Sequence, residues 1–143
     1  MPLSPVPPRQ PVILGFDPGR QKCGFAVMGL DRNLFYHAVI ASADAIPTVQ
    51  TLRQQYPISI LVMGDQTSAL EWKQKLLDLP DPLRVVMVDE RYSTLEARDR
   101  YWQMFPPKGL SRLLPIGLRV IDRPIDDIVA ILLIERYLER LVK

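Results

Sequence analysis

A single cysteine, Cys23, is the entire thiol content of this 143-residue chain. That excludes an internal disulfide and suits a reducing cytoplasm. With no ligand set around it, Cys23 reads as a small buried residue. Histidine is equally scarce: His37 is alone, inside a strand candidate, where a structural role is expected rather than catalysis. No apolar run approaches the roughly 20 residues that a membrane helix needs, so no membrane partner is expected. A large charge of either sign is also missing. Eighteen Lys and Arg against 16 Asp and Glu leave a net charge of +2, without the basic excess that often marks nucleic-acid binders. The first residues, MPLSPVPPRQP, have neither a basic start nor an apolar stretch, so no secretory signal is expected. Their five prolines (Pro2, Pro5, Pro7, Pro8 and Pro11) predict an extended, poorly ordered lead-in over 1–11.

Against these absences stands enough apolar material for a real core. Hydrophobic residues make up 48% of the chain and charged residues 24%, as in a soluble globular protein. The length fits one domain, expected over 12–143. Charge distribution says more than net charge. Residues 108–123 carry Lys108, Arg112, Arg119 and Arg123, with Asp122 as their only acid. Acids gather instead over 78–99 and at Asp126, Asp127, Glu135 and Glu139. A basic loop beside acidic positions suits an enzyme that grips phosphates and holds cations. It equally suits an ordinary solvated loop.

Periodicity predicts the elements. Residues 12–16 form a short apolar run bounded by Pro11 and Asp17-Pro18-Gly19, a buried strand running into a turn. Apolar runs over 23–30 and 34–41 follow, separated by the turn cluster Asp31-Arg32-Asn33. Links this short favour an antiparallel meander. The period then changes. A helix is predicted over 44–55, capped by Ser42 or Asp44, and a strand over 58–63. An amphipathic helix follows over 70–79 with Leu70, Lys73, Leu76 and Leu77 on one side, then a valine-rich strand over 84–88. Ser93 and Glu96 fit a capping box opening a helix to about 105, where Pro106-Pro107 stops it. The last helix, over 125–142, is apolar on most sides from 128 to 134, then amphipathic with Tyr137, Leu138 and Leu141 inward. Strands joined through helices lie parallel, so the expected fold is α/β with a mixed sheet.

Three acids stand at the ends of these elements: Asp17 after the first strand, Glu90 after the valine-rich strand, Asp126 at the start of the last helix. In α/β sheets, sites form at strand ends. Carboxylates crowded together repel, and a magnesium ion removes that penalty by accepting their oxygens. Such an ion can activate water and stabilise a leaving oxygen. Each acid has a plainer reading. Asp17-Pro18-Gly19 is also a good turn, Glu90 could pair with Arg91 or Arg100, and Asp126 could cap its helix.

Taken together, the segments resemble a known family. Residues 13–19 (ILGFDPG) with 24–27 (GFAV) resemble the opening of the YqgF (RuvX) family of RuvC-like, ribonuclease H-fold proteins. Val88-Asp89-Glu90-Arg91-Tyr92-Ser93-Thr94-Leu95-Glu96-Ala97 is similar to that family's DER-x-[ST]-T-x-E-A block. Residues 125–138 resemble its final Asp-led helix. The three blocks keep the family's order and span nearly all of the chain after the proline lead-in. The resemblance implies a ribonuclease H-like mixed sheet and a resolvase-type nuclease fold. By position it implies Asp17, Glu90 and Asp126 as the acidic residues that hold Mg2+, with Mn2+ as a substitute. It implies a nucleic-acid partner, in Holliday-junction resolution or in processing the 5′ end of pre-16S ribosomal RNA. Resolving a junction symmetrically would call for a homodimer, and trimming RNA would not.

One segment departs from the family. After the strand over 60–64 comes Asp65-Gln66-Thr67-Ser68-Ala69 instead of a Leu-Pro-type loop. Asp65 could supplement or replace Glu90 as a ligand, or cap the next helix; Asp127 is a further acid beside the set. Arg20 and Lys22, just past the Asp17 turn, are candidates for phosphate contacts, as are Arg91 and, in the basic loop, Lys108, Arg112 and Arg119. Trp72 and Trp102 fall within predicted helices and read as packing groups rather than base-stacking platforms. The leading expectation is a magnesium-dependent nuclease acting on structured RNA or branched DNA. Two others stand beside it. One is a nucleic-acid-binding or regulatory protein that keeps the fold without turnover. The other reads Asp17-Pro18-Gly19 as the phosphate-loop turn of an actin-like ATPase or sugar kinase, which would need a second domain.

Overall fold

The computed structural model describes residues 10–66 and 68–142; most of the proline-rich lead-in, residues 1–9, lies outside them. Strand β1 (Val12–Asp17) is buried along its whole length because it is central in the sheet and packed on both faces. On one side β2 (Lys22–Gly29) pairs with it antiparallel, and on the other β4 (Ile58–Gly64) pairs with it parallel. Outside these lie β3 (Leu34–Ala41), antiparallel to β2, and β5 (Arg84–Val88), parallel to β4. The order β3-β2-β1-β4-β5 is a three-stranded antiparallel meander extended by two parallel strands. That is the mixed sheet expected from the spacing of the apolar runs, with the strand order of the ribonuclease H-like fold that the family resemblance implied. The β2–β3 turn is set locally: Arg32 takes φ 68°, and the Asn33 N–H donates to Asp31 Oδ1 at 3.0 Å, as turn residues of this kind do.

Four helices cover the two faces. Side chains alternate across β1, so Ile13 faces one layer and Leu14 the other. On Ile13's side lie α3 (Ser93–Met104) and α4 (Asp126–Leu141), joined in one core by Ala97, Tyr101, Ile128, Ile131 and Ile134. On the opposite side α1 (Ala45–Gln55) and α2 (Ala69–Leu77) pack Val49, Leu52 and Leu76 over Phe16, Phe25 and Met63. Helix α4 is the central one, buried from Asp127 to Glu135 without interruption. Each large aliphatic side chain so covered contributes about 1.5–3 kcal/mol.

Several local expectations are corrected. Helix α2 begins at Ala69 and buries Ala69 and Leu76, while Leu70 and Leu77 are 73% and 42% exposed. The covered stripe therefore runs through 69, 72 and 76. Leu141 is also exposed, since its helix turn projects past the sheet. No capping box forms at α3. Ser93 is the first helical residue, Tyr92 holds the N-cap position at φ 62° with no side-chain cap bond, and Glu96 accepts from Arg136 at 2.9 Å instead. At α1, Asp44 occupies the N-cap position without a side-chain bond. The Ser42 hydroxyl instead donates to the Gly19 carbonyl at 2.7 Å, tying down the loop that follows β1.

Candidate active site

Because β1, β4 and β5 run parallel, their C-terminal ends lie along one edge of the sheet. Asp17 is the last residue of β1, and Glu90 follows β5 by two residues. The N-terminus of α4 brings Asp126 to the same edge. Two glycines allow the close approach. Gly24 is the register partner of Asp17 across β1 and β2, and a Cβ there would collide with the backbone carbonyl of Asp126. A bare Cα on β2 therefore lets α4 seat its first acid beside Asp17. At the end of β4, a Cβ on Gly64 would lie 2.5 Å from the Glu90 carboxyl carbon, so Glu90 folds back over β4.

The result is a cleft of about 320 Å³ whose walls include Asp17, Glu90 and Asp126 together with Gln66, Ser93 and Thr94. Burial, then the charges of Asp126 and Glu90, push the Asp17 carboxyl from 3.8 up to about 8. Glu90 rises from 4.5 to about 7, through burial first and then the nearby charge of Asp65. The backbone at Gln66 pulls the other way without reaching a hydrogen bond, and neither Glu90 oxygen has a hydrogen-bond partner among the described residues. Burial also raises Asp126. Three carboxyls whose charged forms are disfavoured at one cleft form a set of hard oxygen donors of the type a divalent cation takes. Among the described residues no three acid, histidine or cysteine side chains form a ready-made metal cage. A cation would have to draw the carboxylates together from the walls. The donor chemistry and the orphaned Glu90 oxygens fit magnesium or manganese.

The plainer readings of these acids find little support. Arg100 is committed to Glu135 through two bonds of 2.9 and 2.8 Å, so it does not pair with Glu90. Asp126 is the first helical residue, with Ile125 at the N-cap. Asp65 is exposed beside Glu90 and makes no cap bond among the described residues, Ser68 holding the N-cap position of α2. Among the basic candidates, Arg20 is exposed at the rim beside Pro18 and Gly19, and Lys22 is close enough to Asp126 to favour its charged form. The Arg91 backbone is held by Asp89 and Arg136, and its side chain is free to reach solvent. Lys108 and Arg112 are exposed. Arg119 donates to the carbonyls of Leu114 and Arg112 at 3.1 and 3.4 Å and lies over Trp102, which holds its own loop in shape. Cys23 is fully buried against Ser42.

Sequence reasoning missed the residues that brace these acids. His37 Nδ1 lies 2.7 Å from Asp127 Oδ2, and Arg123 Nη2 donates to the same oxygen at 2.7 Å. Burial would raise the Asp127 carboxyl, but the bonds from His37 and Arg123 prevail and hold it below its ordinary value. The i−4 spacing of Arg123 from Asp127 was a usable signal; the reach of His37 across 90 residues was not. Arg136, one face along on α4, donates to the carbonyls of Asp89 and Arg91, both at 2.7 Å. It thereby clamps the turn that carries Glu90.

No protein-family model matches the chain, and no curated protein does. Among solved structures it is similar to T. thermophilus RuvC in complex with Holliday junction substrate, with a TM-score of 0.49 and 17% identity over 92% of this chain and 96% of that one. It is also similar to a protein described as a sugar kinase from Cytophaga hutchinsonii, with a TM-score of 0.43 and 12% identity. That match covers 64% of this chain, which spans only 39% of the kinase. Both likenesses are distant, and the fold rests on the strand order and directions of the sheet itself. No helix among the described residues is long and apolar enough to cross a membrane.

Proposed function

We propose that this chain is a divalent-metal-dependent nuclease of the RuvC-like, YqgF type, cutting phosphodiester bonds in structured nucleic acid. The observation that carries the reading is that Asp17, Glu90 and Asp126 line one cleft, where burial and the neighbouring acids push the Asp17 carboxyl up to about 8. A purely structural cluster of acids would be paired. Among the described residues these acids make no ion pair of the kind that Asp127 and Glu135 make.

In this reading the three carboxylates would hold Mg2+, or Mn2+ in its place, and the ion would supply Lewis-acid polarisation of the phosphate and activation of water. The chain's own residues do the rest. Arg136 fixes the Glu90 turn, His37 and Arg123 fix the start of α4, and Gly24 allows the two aspartates to approach. Arg20 and Lys22 at the rim, Arg91 beside Glu90, and Lys108 and Arg112 in the basic loop meet the phosphate backbone, which positions the substrate without reading its sequence, while Arg119 holds that loop in shape. The lone thiol suits a cytoplasmic protein. On a four-way DNA junction, paired incisions would require two copies of the chain.

The test is magnesium-dependent cleavage measured side by side on a four-way DNA junction and on a ribosomal-RNA precursor. Cleavage of either is expected, lost with Asp17→Asn while circular dichroism stays native. Undiminished cleavage by Asp17→Asn would sink the site assignment. Binding without any cleavage, with the three acids apart in a manganese-soaked crystal, would favour a nucleic-acid-binding protein that keeps the fold without turnover.

A further inference from the structure

A second cavity, of about 650 Å³, adjoins the acid cleft. The two share Pro18, Gly19 and Gln66, and the larger one continues along Arg20, Ser68, Glu71 and Trp72. We propose that this cavity receives one unpaired nucleotide beside the bond cut at the acid site. The proposal rests on the nuclease reading and gives that site a substrate feature, a base out of its pair next to the scissile phosphate.

The cavity's size lies in the range of small-molecule sites, roughly 300–1,000 Å³. Its charge is close to balanced, with Arg20 as the cation and Glu71 as the anion. That pairing suits a neutral heterocycle better than a phosphate. Among the described residues, the side chains of Arg20, Gln66, Ser68 and Glu71 make no hydrogen bond or ion pair, although all four line one concave surface. Gln66 can donate and accept, Ser68 can do both, and an ionised Glu71 accepts only. Together they match the mixed donor and acceptor edge of a base. Glu71 selects for its N–H groups.

Trp72 supplies the apolar wall. Phe16 meets its ring edge-on at 5.3 Å between centroids, and Phe16 itself stacks on Phe25 at 4.9 Å. The indole is therefore braced from the core side. The Lys75 ammonium lies 4.5 Å over the same ring, and a flexible lysine is readily displaced to a flanking phosphate. A base can enter only after leaving its Watson–Crick partner, because the edge that Gln66 and Glu71 would read is the edge used in pairing. Arg20, at the mouth, is placed for the phosphate between this nucleotide and the next.

The experiment reads binding and cleavage separately. In a Trp102→Phe protein, Trp72 is the sole tryptophan, so its fluorescence reports on the cavity. The protein is titrated, in chelator and without divalent metal, with a single-stranded DNA of about eight nucleotides. The same strand carrying abasic sites and a blunt duplex of equal length serve as comparisons. Quenching by the base-containing strand is expected at roughly tenfold lower concentration than by either comparison, as base contacts to aromatic walls imply. Gln66→Ala and Glu71→Ala should each remove that preference. Equal affinity for all three nucleic acids, or a preference that survives both substitutions, would overturn the proposal. A parallel cleavage arm compares magnesium-dependent cutting next to a paired and next to an unpaired nucleotide. Discrimination in binding with no cleavage anywhere upholds the subsite and defeats the nuclease reading. Cleavage indifferent to pairing, together with undifferentiated binding, does the reverse.

Discussion

Replacing Asp17 with asparagine should make the metal-free protein more stable, and the gain should depend on pH. Asp17 is only 8% exposed, and its carboxyl is pushed from 3.8 up to about 8 by burial and by its acidic neighbours. The sign follows from which state binds the proton. Below the unfolded value both states are protonated and Asp17 costs nothing. As pH rises, the unfolded chain ionises first, so folding must hold a proton that the unfolded chain has released, and stability falls until pH passes the folded value. At pH 7 the gap covers about three pH units, which at 1.36 kcal/mol each sets a ceiling of about 4 kcal/mol. Water entry and relaxation of the neighbouring acids take back part of it, so we expect Asp17→Asn to gain about 2–4 kcal/mol at pH 7. In a domain of this size that raises Tm by roughly 5–12 °C. Chemical denaturation of both proteins at pH 4, 7 and 8, with and without magnesium, provides the assay. The gain should vanish near pH 4, and added magnesium should stabilise the native sequence far more than the variant. If Asp17→Asn is no more stable at pH 7 and 8, or its gain is the same at pH 4, the electrostatic description of the cleft is wrong.

Three other perturbations probe the supports of the site. Gly24→Ala places a methyl group against the Asp126 carbonyl; overpacking there should cost about 1–3 kcal/mol in denaturant melts and abolish cleavage. Arg136→Ala frees the Asp89 and Arg91 carbonyls, so kcat should drop with KM nearly unchanged, and Arg136→Lys should restore part of it. An equal loss in both variants of folding alone, with native turnover per folded molecule, would contradict a positioning role. Asp127→Ala leaves Arg123 half-buried without its carboxylate, a loss of about 3–5 kcal/mol, seen as a lowered Tm at neutral pH.

The fold was readable because its apolar runs are short, distinct and differently spaced. The first three are separated by links too brief for anything but hairpins, and the later ones alternate with helical periods. Helix faces were less readable. Leu70 and Leu77 look like core residues in α2, yet the covered stripe runs through Ala69 and Leu76, because leucines occur on both faces of this helix and the sheet takes only one. The Ser93 capping box failed for a related reason: Tyr92 turns left-handed to start α3, and Arg136, from another helix, claims Glu96. The three acids could be named from their places at element ends and from the family they resemble. The groups that position them could not, since His37 and Arg136 act across long stretches of chain.

The neighbours Asp126 and Asp127 show how sharply one residue of helical rotation can divide two carboxylates. Asp127 turns inward, where His37, Arg123 and the Ile128 N–H hold its oxygens, and its acidity is increased. Asp126 turns toward Asp17, where burial outweighs the help of Lys22 and Arg123, and its acidity is decreased. A fold optimised for stability alone would supply a cation to each. Among the described residues the ion pairs go to Asp127 and Glu135, and none is made by Asp17, Glu90 or Asp126, which line the cleft. The bracing pairs fix α4, and α4 carries the unsatisfied acid to the sheet edge. The raised carboxyls of the cleft are thus carried by a helix whose start is held by paired groups, and in the proposed reading a divalent cation would offset their mutual repulsion.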